Sequence, residues 1–222
     1  MQPNFSCAPA TIAAITKTIS QPRLGRYMPA AKGDIQRALR LYLWNAQLCQ
    51  EFYIPTQLTE IAFRNVLAAG LETRFGATWY KAPSVVSVLP HRLQDELKRA
   101  ERAEFKSHGT AMTTGHIVSS LSLGFWVHLT SINPRRLIWK GSVISLFPHL
   151  PSTIQEDAIH TKADKLRKFR NRIAHHNAIF DRKPTGQYQN IRDILSWICP
   201  ETLWLMKQSS NPAKVISCRP TY

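Results

Sequence analysis

Apolar residues recur in steps of three and four along most of this chain, the repeat that gathers side chains on one face of an α-helix. Over residues 34–52 the positions Ile35, Ala38, Leu39, Tyr42, Leu43, Ala46 and Cys49 keep that step and predict a helix, which Pro55 then interrupts or kinks. A second run through Leu58, Ile61, Ala62, Val66, Leu67 and Leu71 predicts helix as far as Gly76. Residues 91–106 are rich in charged helix formers and predict a solvent-facing helix. The stretch 115–130 is apolar almost all round, as a helix in the core would be. Pro134 is expected to open a helix running towards Phe147, and a long helix is expected over about 153–178. Pro184 and Gly186 mark a turn before a helix over 188–197, and Pro200 leads into a short end that contains Trp204. No alternating run is long enough for a sheet, and no fixed-period repeat is present. The pattern predicts an all-α fold with one domain over 21–208. Residues 1–20 form an N-terminal segment of uncertain order, and 209–222 are expected to be a loosely held tail.

The charge balance changes this picture most. Twenty-nine Lys and Arg against 14 Asp and Glu leave +15, a surplus suited to a polyanion partner because each neutralised phosphate releases counterions. Residues 161–192 hold nine Lys or Arg and two Asp, so the surplus gathers there. No Gly-rich phosphate loop occurs, which weighs against a nucleotide fold. Cys7, Cys49, Cys199 and Cys218 form no C-x-x-C pair and, with no secretory signal over the first 20 residues, read as reduced thiols of a cytoplasmic protein. The most apolar run, 117–132, is shorter than the roughly 20 residues a membrane span needs, so no membrane partner is expected.

Within the basic stretch, the long helix separates into two faces when drawn at about 100° per residue. With Asn171 as origin, Asp164, His175 and Lys168 fall within about 60° on one side and Arg167 near −40°. Leu166, Phe169, Ile173 and Phe180 gather opposite. His175 is therefore expected on the polar face and His176 towards Phe169 and Phe180. Arg170 lies at the boundary, near −100°. It is expected to reach the site around the helix or from a second subunit. A histidine moves protons near neutral pH, an arginine offers a planar fork of donors to phosphate oxygens, and an asparagine holds a hydroxyl or an imidazole tautomer. That set suffices for attack of an RNA 2′-hydroxyl on its own phosphate without a metal. The same face also reads as ordinary solvated charge.

The segment FRNRIAHHNAIF resembles the signature of HEPN-domain ribonucleases: an Arg-Asn pair, then a His with four residues between Arg and His. The His-His doublet is similar to the Abi-like (abortive infection) branch. LRLYLWN (39–45), LTEIAFRN (58–65) and HIVSSLSLGFWVHL (116–129) agree in the expected order, so the resemblance covers roughly 20–200. It implies a HEPN-like helical bundle with additional N- and C-terminal helices, no cofactor, and a homodimer whose two motifs meet in a composite active site. It implies a phage-defence or toxin–antitoxin toxin that cleaves RNA, with an antitoxin protein as a further partner. Carried over residue by residue, Arg170 and His175 are the catalytic pair and Asn171 the positioning residue. His176, Glu60, Arg64 and Asn65 support them, the last three as a polar cluster on an earlier helix or as an ion pair propping the motif helix. Where branch members often carry an acid before the SFGFW-like stretch, this chain has Ser119-Ser120. Many HEPN domains bind RNA or a protein without cutting, which is the alternative reading. A basic DNA-binding helical protein is a third, with no recognition-helix signature behind it.

Lys165, Arg167, Lys168 and Arg172 are candidate RNA contacts. The histidines outside the motif form no H-x-x-x-H or H-E-x-x-H grouping, so no metal site is expected. Phe125, Trp126, Trp139, Trp197 and Trp204 either stack on bases or belong to the core.

Overall fold

A computed structural model describes residues 5–140 and 143–220. Parts of the expected N-terminal segment, of the helix expected over 134–147 and of the tail lie outside the described residues. Every regular element among the described residues is helical, so the chain is all-α. In chain order the α-helices are α1 (Pro9–Ile19), α2 (Gln21–Gly25), α3 (Ile35–Phe75), α4 (Pro83–Val86), α5 (His91–His108), α6 (Thr114–Ser120), α7 (Leu123–Leu129), α8 (Ile132–Pro134), α9 (Glu156–Ala174), α10 (Pro184–Ile198), α11 (Pro200–Ser209) and α12 (Pro212–Ser217). No helix among the described residues is long and apolar enough to cross a membrane.

The chain divides into two compact units. The first comprises residues 1–56, 168–189 and 206–222, and the second 57–167 and 190–205. All four crossings fall inside helices α3, α9, α10 and α11, so no linker composition marks them.

In the first unit, Asp34 starts α3 by accepting from the backbone N–H groups of Gln36 and Arg37 at 2.9 and 3.1 Å, an N-cap that satisfies otherwise orphaned donors. Ala38, Leu41, Trp44, Leu48 and Phe52 form the buried stripe of this part of α3. The helix does not stop at Pro55. The Thr56 hydroxyl donates to the carbonyls of Phe52 and Tyr53 at 2.8 and 2.9 Å, in the turn where proline supplies no N–H. The tail from 209 carries contacts of its own among the described residues. Asn211 caps α12, the Trp44 indole donates to the Val215 carbonyl at 2.8 Å, and Pro212 and Pro220 are buried. The N-terminal segment also has structure, since α1 is helical and the Cys7 N–H donates to Gln36 Oε1 at 2.9 Å.

The second unit is built on aromatic packing. Trp79, Phe125 and Trp126 are fully enclosed, with the Trp79 and Trp126 rings 5.8 Å apart in an edge-on arrangement. Gly70 gives room where a Cβ would meet Leu146 at 2.8 Å and Trp139 at 3.0 Å. The single helix expected over 115–130 is two helices. Ser122 caps α7 by accepting from Phe125 N–H at 3.3 Å, while its own N–H donates to Glu96 Oε1 at 2.8 Å. The helix expected from Pro134 to Phe147 is instead α8, a π-helical turn over Arg135–Trp139 and a short 3-10 turn over Val143–Leu146. Phe125, Trp126, Trp139 and Trp197 are core residues; Trp204 is 63% exposed.

Candidate functional site

Helix α9 carries the motif. Glu156 and Asp157 in its first turn suit the positive end of the helix dipole. Of the expected apolar stripe Leu166 and Phe169 are buried and Ile173 is half-buried, while Ile159 and Ala163 extend the buried face and Phe180 lies beyond the helix. The helix ends at Ala174 rather than near 178. His176 adopts the left-handed conformation at φ 54°, its N–H donates to the Ile173 carbonyl at 3.0 Å, and Asn177 N–H donates to Arg172 O at 2.7 Å. These two bonds are the Schellman pairing that closes a helix C-terminus. Glycine usually occupies the left-handed position, so a histidine there hid the stop.

This ending changes the histidines. His175 N–H still donates to the Asn171 carbonyl at 3.0 Å, which keeps the two residues one turn apart, and His175 is exposed. The helix expected to direct His176 towards Phe169 and Phe180 ends before it. His176 is exposed and lines an open pocket, while Phe180 lies beyond the reversal and stacks on Tyr27 with ring centroids 5.2 Å apart. Arg170 and Asn171 are half-buried, and Lys168 is exposed.

The reversal after His176 is held from both sides. The Arg172 guanidinium donates from Nε and Nη2 to the Ala178 carbonyl at 2.9 and 2.6 Å, and Arg23 Nη1 donates to the His176 carbonyl at 2.8 Å. Asp181 pairs with Arg26 and, at 3.4 Å, with Arg182. Beneath them the buried Asn45 amide oxygen accepts from Ile179 and Phe180 N–H at 2.8 and 3.1 Å. The result is a pocket of about 440 Å³ whose wall includes Arg23, Arg26, Arg172, Arg182 and His176. Burial, and then the neighbouring Arg182 and Arg26 charges, hold the Arg172 guanidinium below its usual pKa. Burial pushes the Tyr27 phenol at this pocket upward, so it stays neutral.

The other predicted residues lie in the second unit. Lys165 is exposed. Arg167 pairs with Asp164 on its own helix at 2.9 and 2.6 Å, so part of its donor set is already engaged. Glu60 and Arg64 are half-buried and Asn65 exposed. Arg64 and Asn65 line a cavity of about 620 Å³ with Glu72, Trp79 and Thr113, and Arg64 Nε is enclosed without a hydrogen-bond partner.

Sequence reasoning missed two features. Arg23, Arg26 and Arg182 reach the pocket from distant or loop positions that no spacing rule connects. It also missed a histidine grouping: Glu104, His108 and His116 each place one ligand-type atom within 4.8 Å of the others. The i,i+4 spacing of Glu104 and His108 was the available signal. Their contacts describe a polar pair and a cap: His108 Nε2 lies 3.3 Å from Glu104, and His116 Nδ1 accepts from Thr113 N–H at 3.1 Å. An accepting Nδ1 puts the proton of a neutral ring on Nε2, which leaves that atom no lone pair for a metal. Ser120, where the resemblance expects an acid, donates to Glu104.

Comparisons with protein-family models, with curated proteins and with solved structures return no match.

Proposed function

We propose that this protein is a metal-independent endoribonuclease of the HEPN, Abi-like kind. One observation carries the reading: His175 stands exposed at the end of α9, one turn from Asn171, in the unit that holds fourteen Lys or Arg against three Asp or Glu. In the proposed reaction His175 takes the proton of an RNA 2′-hydroxyl. The 2′-oxygen attacks the adjacent phosphorus, and the bond to the 5′-oxygen breaks. The products are a 2′,3′-cyclic phosphate and a 5′-hydroxyl. Arg170 stabilises charge on the crowded phosphate and Asn171 positions the hydroxyl. In a homodimer the His175 of a second copy protonates the leaving oxygen, and the boundary position of Arg170 suits a composite site. Cytoplasmic cleavage of this kind accounts for a phage-defence or growth-arrest toxin held in check by an antitoxin.

The test is incubation of purified protein with total RNA in EDTA beside His175→Ala and Arg170→Ala. The parent is expected to release fragments ending in 2′,3′-cyclic phosphate, and each folded variant to lose roughly 10²–10⁴-fold in rate. Normal cleavage by folded His175→Ala would exclude the assignment. Salt-sensitive RNA binding without new ends, in parent and variant alike, would identify a silent RNA-binding domain.

A further inference from the structure

We infer that the arginine pocket beside His176 holds a phosphate of the RNA strand other than the one attacked, and so sets where the strand lies against His175. This deepens the ribonuclease reading and rests on it. Four guanidiniums border one pocket, and among the described residues a single carboxylate, Asp181, pairs with them. Two of the four are held by backbone carbonyls, Arg172 by Ala178 and Arg23 by His176, which orient a guanidinium without cancelling its charge. Each of the four retains N–H donors beyond those bonds, in the planar arrangement that matches phosphate oxygens.

A helix C-terminus by itself repels an anion. Here the carbonyls at the end of α9 are closed by the left-handed turn, and the adjoining loop carbonyls of His176 and Ala178 face guanidiniums, so the local sign is reversed. The pocket's volume of about 440 Å³ falls within the roughly 300–1,000 Å³ of small-molecule sites and admits a phosphate with its sugar. His175 immediately precedes the pocket residue His176, so a strand held here passes the proposed base.

The test separates this proposal from cleavage by using a labelled 2′-O-methyl RNA oligonucleotide, which has no free 2′-hydroxyl to attack. Binding is measured by fluorescence anisotropy across a salt series for the full chain, Arg182→Gln, the double variant Arg23→Gln/Arg182→Gln, and Arg99→Gln as a charge control on α5. The double variant is expected to bind roughly a hundredfold more weakly, about tenfold per arginine. The slope of log affinity against log salt should fall by about 0.7 for each pocket arginine removed. Arg99→Gln should match the parent. Should the double variant fail to fold by circular dichroism, Arg182→Gln alone carries the test, since among the described residues its ion-pair partner is the adjacent Asp181 at 3.4 Å. A 5′-phosphorylated oligonucleotide that binds the parent more tightly, with the advantage lost in the variants, identifies a terminal phosphate; equal affinities identify an internal diester. Unchanged affinity and slope in the folded pocket variants overturn the proposal. Absence of binding by the parent also overturns it and leaves an acidic protein segment as the pocket's occupant. Loss of the cleavage reading alone leaves the pocket's effect on binding measurable, because the 2′-O-methyl oligonucleotide reports binding without any cleavage.

Discussion

In the second unit fifteen Lys or Arg meet eleven Asp or Glu, and cations are matched locally: Lys81 with Glu101 at 2.9 Å, Lys162 with Asp193 at 2.6 Å, and Arg135 with Glu156 and Asp157. The first unit has fourteen cations and three acids, a formal +11 of the chain's +15. Each of those acids has a structural task. Asp34 caps α3 and pairs with Arg37, Glu51 accepts from Asn211 N–H, and Asp181 holds Arg26 and Arg182. The comparison separates charge that serves the fold from charge that the fold serves. Where carboxylates hold guanidiniums, the charge is cancelled and the pair belongs to the structure. Where carbonyls and an amide hold the loop instead, positive charge is left for a partner.

The largest expected effect tests that uncharged scaffold. Asn45→Ala removes the acceptor for two buried backbone donors, Ile179 and Phe180, and should destabilise the protein by about 2–4 kcal/mol. Urea unfolding measures it. A loss below about 0.5 kcal/mol would mean that the arginine contacts alone hold the loop. Next comes the direct contrast between units. Arg135 is 8% exposed and paired with two acids, so Arg135→Ala should cost about 2–3 kcal/mol, whereas Arg182→Gln should change stability by less than about 0.5 kcal/mol. Comparable losses in the two variants would erase the distinction.

A smaller effect of opposite sign is expected at the turn. His176→Gly relieves a left-handed residue of its Cβ and should stabilise by about 0.5 kcal/mol after the added unfolded-state freedom of glycine. In a chain of this size that raises the melting temperature by ~1–2 °C. The same variant removes a side chain from the pocket wall, so affinity for the oligonucleotide should fall while stability rises. A gain in both would remove His176 from the site.

These residues also show what could be read before the structure. The apolar face of α9 was legible because Leu166 and Phe169 keep a helical period that burial enforces. The end of α9 was not, because its stop is a left-handed histidine. The loop that follows is held partly by Arg23, 153 residues away in sequence from His176. Pro55 suggested a break, yet α3 runs through it with the Thr56 hydroxyl donating in the affected turn. Of the candidate site, the helical repeat put Asn171 and His175 on one face with Arg170 at its boundary, and the resemblance to the HEPN signature implied their roles. Arg23, Arg26 and Arg182 were not legible, since only tertiary structure gathers them.

The smallest effect lies in the second unit and concerns pH. Burial, and then the nearby His160 and Arg92, hold the His128 imidazole below its ordinary pKa, and its Nε2 is enclosed without a hydrogen-bond partner. At neutral pH and above, the ring is uncharged in both folded and unfolded chains and its contribution is fully present. As pH falls below the unfolded value of about 6.5, the unfolded chain takes up a proton that the folded one resists, so stability declines until the lower folded value is passed. Because His128 is only half-buried, solvent reduces the effect to a few tenths of a kcal/mol. His128→Gln should therefore gain that amount relative to the parent when urea unfolding at pH 5.5 is compared with pH 7.5. An acid sensitivity that survives His128→Gln would remove the His128 ring as its origin.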